Sequence, residues 1–410
     1  MRLRYSFRID PTPGQRVALA RAFGCARVVF NDALAIRTQA YEQGSPFVTD
    51  AELSVRVITA GKTRADRAWL GEVSVVVLQQ ALADCTTAFR NFFASISGKR
   101  KGPRVGAPRF RSRKDHRQAI RFTRNARFCV TEAGRLRLPK IGDVPVRWSR
   151  DLPAAPSSVT VIKDAAGRYH ASFVVEVTAQ PLPVVDAEVG IDLGLGHFAV
   201  LSDGRKISSP RFLRRAGKKL KKLQKALSRK EKGSSNRAKA RSKVARAHAG
   251  VADARREFHH QLSTAIVRDN QAIYVEDLAV RGLARTRLAM SVHDAGWSAF
   301  VAMLEYKAKL YGRVFVRIDR WFPSSKLCSA CGVIATSMPL GVREWSCACG
   351  AVHDRDVNAA VNILAAGRAE RLNASHIRGR DGASRPGGGR VRPPFTVAPA
   401  DEAGSHRGAA

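Results

Sequence analysis

The sequence predicts a multidomain protein of α/β and β class. An α/β domain is expected over residues 188–366, preceded by a small antiparallel barrel or sandwich and a helical segment. Three observations carry this expectation. Short apolar runs alternate with amphipathic helical stretches from Glu188 to Ala366, the pattern of strands and helices in packed layers. From Phe128 to Val177, β-like runs alternate with turn residues. From about Gln15 to Phe93 the apolar period is helical.

Residues 2–9 alternate as a strand until Pro11 and Pro13 break the run. Val17, Leu19, Phe23, Val28 and Phe30 mark one helical face, and Val73 to Phe93 marks another. Lys99 to Arg127 holds twelve Lys or Arg and one acid, Asp115, interrupted by Gly and Pro and interleaved with Phe110, Phe122 and Phe128. Cations with spaced aromatics outside a helix suit phosphates and unstacked bases, with Arg109, Arg111 and Arg113 as candidates. The three Phe would serve a core equally well. Strands are expected at Leu136–Leu138, Val144–Trp148, Val159–Lys163 and Tyr169–Val177, with a hairpin turn at Ala166-Gly167 and a linker at Ala179–Val184.

In the α/β part, Glu188–Asp192 and His197–Leu201 read as strands around a Gly-rich turn. Arg211 to Arg246 then carries sixteen Lys or Arg against one acid, with a stripe at Leu213, Leu220, Leu223 and Leu227. That is a basic amphipathic helix, broken near Gly233-Ser234-Ser235, and Lys218, Lys219, Lys221, Lys222 and Lys225 are candidate phosphate contacts. A buried strand Ala272–Val275 ends in Glu276, followed by a helix Trp297–Tyr311, a strand Val314–Ile318, a cysteine cluster and a last helix from Val357 to Ala366. After Glu370 the chain turns rich in Gly, Arg, Pro and Ser, and disorder is expected over 371–410.

A hydrophobic share of 45% excludes wholesale disorder, and 71 Lys and Arg against 34 acids leave a net charge of +37. A chain this basic repels itself unless it carries a polyanion, and nucleic acid is the usual one. No apolar stretch is long enough for a membrane and the start lacks a signal-peptide core, so a cytoplasmic location is expected. There, seven cysteines are not a disulfide framework; Cys25, Cys85 and Cys129 are expected as small buried hydrophobes.

The other four cysteines form a site. Cys328 and Cys331, then Cys347 and Cys349 after fifteen intervening residues, fit four thiolates around a structural Zn²⁺. His353, four residues further on, is an alternative ligand. Three acids sit where apolar segments end or begin: Asp192 after Val189-Gly190-Ile191, Glu276 after Ala272–Val275, and Asp356 at the start of the last helix. Buried acids are costly unless paired or bound to a cation. Converging carboxylates from separate elements suit two Mg²⁺ ions about 3.5–4 Å apart, acting on a phosphodiester.

Gly190-Ile191-Asp192-Leu193-Gly194, Val275-Glu276-Asp277-Leu278, the CxxC…CxC insert and His353-Asp354-Arg355-Asp356-Val357-Asn358-Ala359-Ala360 resemble, in order, the RuvC motifs of the TnpB family. Arg8 to Gln15, Leu138 to Gly142 and Asp294-Ala295-Gly296-Trp297 extend the resemblance over residues 2–370. It implies a wedge-like β-barrel (1–10 and 121–183) with an inserted helical recognition domain (11–120), then an RNase H-like RuvC domain (184–322 and 353–370) carrying a zinc ribbon (323–352). It also implies an RNA-guided DNA endonuclease of transposon origin, with guide RNA and target double-stranded DNA as partners and a monomer-plus-RNA assembly favoured. Asp192, Glu276 and Asp356 match the catalytic, magnesium-binding acids, with Mn²⁺ able to replace Mg²⁺; Asp354 competes for the third place. The alternatives are a catalytically silent RNA-guided repressor and an RNase H-like transposase.

Overall fold

The computed structural model describes residues 1–115, 117–339 and 341–380, with side chains to residue 373. It divides into two compact units, Arg2–Val177 and Thr178 onward. No described helix is long and apolar enough to cross a membrane.

The first unit is built on one seven-stranded antiparallel sheet. Its strands are β1 (Arg2–Ile9), β2 (Gln118–Thr123), β3 (Cys129–Val130), β4 (Arg135–Leu138), β5 (Gly142–Arg147), β6 (Ser158–Lys163) and β7 (Tyr169–Glu176), in the order β2-β6-β7-β1-β5-β4-β3. The first strand in sequence is therefore central, paired with β7 from Arg2↔Glu176 to Ile9↔Tyr169. Alternation sends Phe7, Ile9, Phe173 and Val175 inward, and Phe7 meets the ring of Trp148 at 4.7 Å.

Between β1 and β2 the chain is helical: α1 (Pro13–Glu42), the short α2 (Asp50–Leu53) and α3 (Ala60–Thr63), and α4 (Val75–Ile96). Thr12 starts α1 with a reciprocal capping box to Gln15, and Pro13 supplies a first-turn residue that needs no N–H partner. Leu19, Phe23, Ala26, Phe30 and Leu34 form its buried face against α4. The strand β2 lies inside the basic stretch expected to be non-helical, ahead of the β-like runs expected from Phe128. Its polar sequence conceals it, yet Ile120 and Phe122 alternate into the core.

The second unit carries a five-stranded sheet in the order β10-β9-β8-β11-β12: β8 (Glu188–Asp192), β9 (His197–Leu201), β10 (Lys206–Ser208), β11 (Ala272–Glu276) and β12 (Val314–Ile318). β8, β11 and β12 run parallel, and β9 and β10 are antiparallel. The helices are α5 (Phe212–Ser228), α6 (Ser235–Asp269), α7 (Val280–Leu283), α8 (Ala289–Ala295), α9 (Trp297–Leu310) and α10 (Arg355–Arg380). Ile191, Phe198, Val275, Trp297, Phe300 and Leu304 form one core with α6 and α9, while Ala272, Tyr274, Ile318 and Ile363 form another with α10.

Helix α10 runs past Glu370, where disorder was expected to begin. Residues 371–380 contain no proline, and Arg368 and Arg371 pair with Glu188 at 2.6 and 2.8 Å. The remainder of that expectation, residues 381–410, lies outside the described residues.

Two glycines let α10 approach the sheet. A Cβ on Gly190 would lie 2.1 Å from the Ala360 carbonyl oxygen and 2.6 Å from the Leu364 nitrogen, and one on Gly367 would lie 2.1 Å from the Tyr274 ring. Gly190→Ala is expected to destabilise by about 3 kcal/mol, because backbone must move. At Gly217, inside α5 with open space around it, the same change should be neutral or slightly stabilising. Urea midpoints of the two variants check the contrast.

The Asp294–Trp297 segment is a joint. Asp294, buried, accepts the α5 N-terminal N–H groups of Leu213 and Arg214 at 2.8 and 3.1 Å. Gly296 takes a left-handed conformation (φ 65°), and Trp297 donates to the Phe198 carbonyl at 3.3 Å. The His259 ring nitrogen lies 2.8 Å from the Ala295 carbonyl, amid Phe198, Phe258 and Phe300. Burial pushes its pKa down to about 4, so it is neutral and donates that hydrogen bond. The folded state thus binds fewer protons than the unfolded one between pH 6.5 and 4, and stability falls as pH drops through that window. Of the acid-induced loss, about 3 kcal/mol should disappear in His259→Met, as measured by urea unfolding at pH 7, 5.5 and 4.

Candidate active site and metal centre

Parallel pairing brings the acids together. Val275 is the Cα partner of Ile191, so Glu276 and Asp192 leave neighbouring strands at the same level, on the carboxyl edge of the sheet. Helix α10 begins at that edge, with Asp356 in its first turn. Asp192, Glu276 and Asp356 line one cleft of about 360 Å³ together with Ser325, Lys326 and Arg355. Carboxyl edges of parallel strands are where open α/β sheets hold ligands.

Burial first, then the charges of Asp356 and Glu276, pushes the Asp192 carboxyl up to about 7. Burial and Asp277 raise Glu276 as well. Three converging carboxylates offer oxygen-only donors, a set that suits a hard divalent cation.

Asp354 stands apart from them. Its carboxylate accepts the Asp356 and Val357 N–H groups at 3.1 and 3.0 Å, capping α10, and the Lys206 ammonium at 2.5 Å. These donors outweigh burial and hold its pKa below the usual carboxylate range. Asp354 is spent on the cap and Asp356 faces the cleft. Arg343 reaches to 3.3 Å from the Asp356 carboxylate.

The four cysteines also converge, with all sulfurs within 4.8 Å of one another. Cys328–Cys349 and Cys331–Cys347 are 3.8 and 3.6 Å apart. Zinc–sulfur bonds of about 2.3 Å put tetrahedral sulfurs about 3.8 Å apart, so the donor set fits Zn²⁺. His353 lies 3.0 Å from Cys328 Sγ through Nε2, beside the cluster, where a ring N–H can orient the sulfur. The Val333 N–H lowers the Cys331 thiol, but hydrogen bonds with Cys349, Cys328 and Cys347 outweigh it and push it to about 12, so without a cation the thiols do not all ionise. Strands β13 (Glu344–Ser346) and β14 (Val352–Asp354) pair across the second knuckle.

Cleft and cluster share a loop. Asn358, buried on α10, accepts the Ser329 N–H at 3.0 Å and donates to the Leu327 carbonyl at 2.7 Å. Asn362, one turn on, donates to Ser324 and Leu327 carbonyls at 2.8 and 2.6 Å. Sequence reasoning gave neither residue a role, although two Asn at i and i+4 on an apolar helix face are the available signal.

Among the other expected contacts, Lys218, Lys219, Lys221, Lys222 and Lys225 are exposed along α5, and Arg109 and Arg113 are exposed. Arg111 is turned inward: its guanidinium lies 3.8 Å from the centre of the Phe30 ring and 3.2 Å from Asp84. Phe122 and Phe128 are core residues, and Phe110 is exposed. Cys25 and Cys85 are buried as expected. Cys129 is exposed instead, because the two-residue strand β3 keeps both residues outside.

Residues 172–287 match a family model described as "Probable transposase", 297–363 one described as "Cas12f1-like, TNB domain", and 1–45 one described as "Helix-turn-helix domain". Residues 1–45 fold here as β1 followed by one long helix. A Streptomyces pristinaespiralis protein named "Putative RNA-guided DNA endonuclease" is 47% identical over 95% of each chain. InsQ of Escherichia coli (strain K12), given the same description, is 30% identical over 89% of this chain and 92% of its own. Among solved structures, the Cas12f1-sgRNA-target DNA complex matches with a TM-score of 0.53 at 13% identity, covering 85% of this chain and 83% of that one. The mini-RNA-guided endonuclease CRISPR-Cas_phi3 matches at 0.50 and 9%, covering 90% and 92%. These two likenesses describe the multidomain α/β fold. The near-complete overlap with the 47%-identical relative goes further: the chain belongs to the TnpB family.

Proposed function

We propose that this chain is an RNA-guided DNA endonuclease whose RuvC-like site uses Asp192, Glu276 and Asp356. The observation that carries the reading is their convergence on one cleft, with Asp192 pushed up to about 7 by burial and its two acidic neighbours. The same three residues would hold two Mg²⁺ ions, with Mn²⁺ able to replace them. Such ions supply an activated water and neutralise the leaving oxygen of a phosphodiester. The chain's own side chains do the rest. Lys326 and Arg355 line the same cleft and attract the scissile phosphate, and Asp354 holds the first turn of α10, and with it Asp356, in place.

In this reading, residues 1–10 and 121–183 form a wedge-like barrel and 11–120 a helical recognition domain. Residues 184–322 and 353–370 make the RuvC-like nuclease, and 323–352 a zinc ribbon on Cys328, Cys331, Cys347 and Cys349. Guide RNA and target duplex are the partners, and base pairing reads sequence. A net charge of +37 suits two polyanions, with Lys218 to Lys225 of α5 and the exposed Arg109 and Arg113 as phosphate contacts.

The test is to purify the protein with co-expressed RNA and incubate it with plasmids carrying the guide match and randomised flanks. Mg²⁺-dependent double-strand cleavage is expected. Tight binding without cutting would instead identify a repressor, and joined products a strand transferase.

A further inference from the structure

The rim of the acid cleft carries a tryptophan that the fold leaves outside. Ile318, the last residue of β12, is the Cα partner of Glu276, so the chain turns immediately beside that acid. The turn runs from Asp319 to Phe322: the Phe322 N–H reaches the Asp319 carbonyl at 3.2 Å, and the Trp321 N–H reaches the Asp319 carboxylate at 2.7 Å. Its neighbours fasten it on both sides. Arg320 pairs with Asp277, next to Glu276, and Phe322 packs against the core of Ala272, Tyr274, Ile318 and Ile363 while lining the cleft. Trp321 is 84% exposed, with no ring contact among the described residues. The next most exposed described tryptophan, Trp69, is 38% exposed.

An indole on an anchored turn, next in sequence to Phe322, which lines the cleft with Lys326 and Arg355, has the properties of a stacking platform. Bases inside a duplex already use both faces, so an unpaired base, rather than an internal base pair, can offer one to Trp321. We infer that Trp321 stacks on an unpaired nucleobase next to the phosphate held in the cleft, and so positions a single strand for cutting. Trp321 is a positioning residue, and its role rests on the nuclease reading above.

The experiment uses the full chain purified with its RNA and its zinc, bound to matched target. In the Asp192→Ala background, binding of a fluorescent oligo(dT) is compared for Trp321, Trp321→Ala and Trp321→Phe, then repeated with an abasic oligonucleotide. Trp321→Ala should weaken oligo(dT) binding about tenfold, Trp321→Phe should restore most of it, and abasic strands should bind all three alike. In the cutting-competent background Trp321→Ala should raise KM by a similar factor and change kcat less than about twofold, since stacking is made before and during reaction alike. Equal oligo(dT) affinity for Trp321 and Trp321→Ala, or a loss that Trp321→Phe shares and abasic strands retain, overturns the inference. Cutting of matched plasmid by the unsubstituted protein is scored separately. Its absence alongside Trp321-dependent binding would sink the nuclease reading and leave the stacking role standing.

Discussion

Asp192→Ala should reduce target cutting on the order of 10⁴-fold, the size expected when one member of a unit of interdependent groups is removed. RNA and DNA affinity should stay nearly unchanged, because the basic surfaces lie on other elements. Loss of the Asp192 carboxylate is not expected to cost stability. Burial and the charges of Asp356 and Glu276 all oppose ionisation of Asp192, so its carboxylate is a liability in metal-free protein. An acid whose folded pKa is raised loses stability as pH climbs from its unfolded value, about 3.9, towards its folded one. Metal-free Asp192→Asn should therefore melt above the unsubstituted protein at pH 7, and the gap should close as pH falls to 4. Added Mg²⁺ should raise Tm in the unsubstituted protein and do so less in the variant. A variant that melts lower at pH 7 would show that Asp192 is held by an interaction other than a cation.

Cys328→Ser should have the second large effect. A structural zinc site contributes on the order of 10 kcal/mol to the segment that encloses it. Metal analysis should find one zinc per chain in the unsubstituted protein and close to none in Cys328→Ser. Cys129→Ser, on an exposed edge strand, should keep its zinc. The damage should also reach the chemistry. Residues 324–327 lead into Cys328, are gripped by Asn358 and Asn362, and include cleft residues. Loss of zinc should thus lower cutting to below about a hundredth as the loop loosens, a consequence of its support for the site. Full cutting by zinc-free protein would separate the two sites.

The parallel core was legible because its strands are short, mainly apolar runs, two of which, β8 and β11, close on an acid. Buried parallel strands must read that way. Glu188–Asp192, His197–Leu201 and Val314–Ile318 fall where the apolar pattern sets them. β2 was not legible, since QAIRFT shows only two inward residues among polar ones. Nor was the inward turn of Arg111, because an arginine looks the same in sequence whether it meets a phosphate or a Phe30 ring and Asp84. In the site, the three acids stood out by their placement, but spacing had no means of separating Asp354 from Asp356. The resemblance favoured Asp356 through its Asp-x-Asn-Ala setting, and in the structure Asp354 caps α10 and pairs with Lys206 while Asp356 lines the cleft. Trp321 gave no signal at all, because exposure is a property of the turn that carries it.

The fit of α10 against Gly190 fixes an order of events in the life of the chain. Two acids come from strands of the central sheet, but the third arrives with the last described helix, whose backbone lies directly against the residue two before Asp192. A chain in which α5 and α6 have formed but α10 has not yet docked therefore has a cleft that lacks Asp356. The acid cluster is complete only once α10 has docked against Gly190.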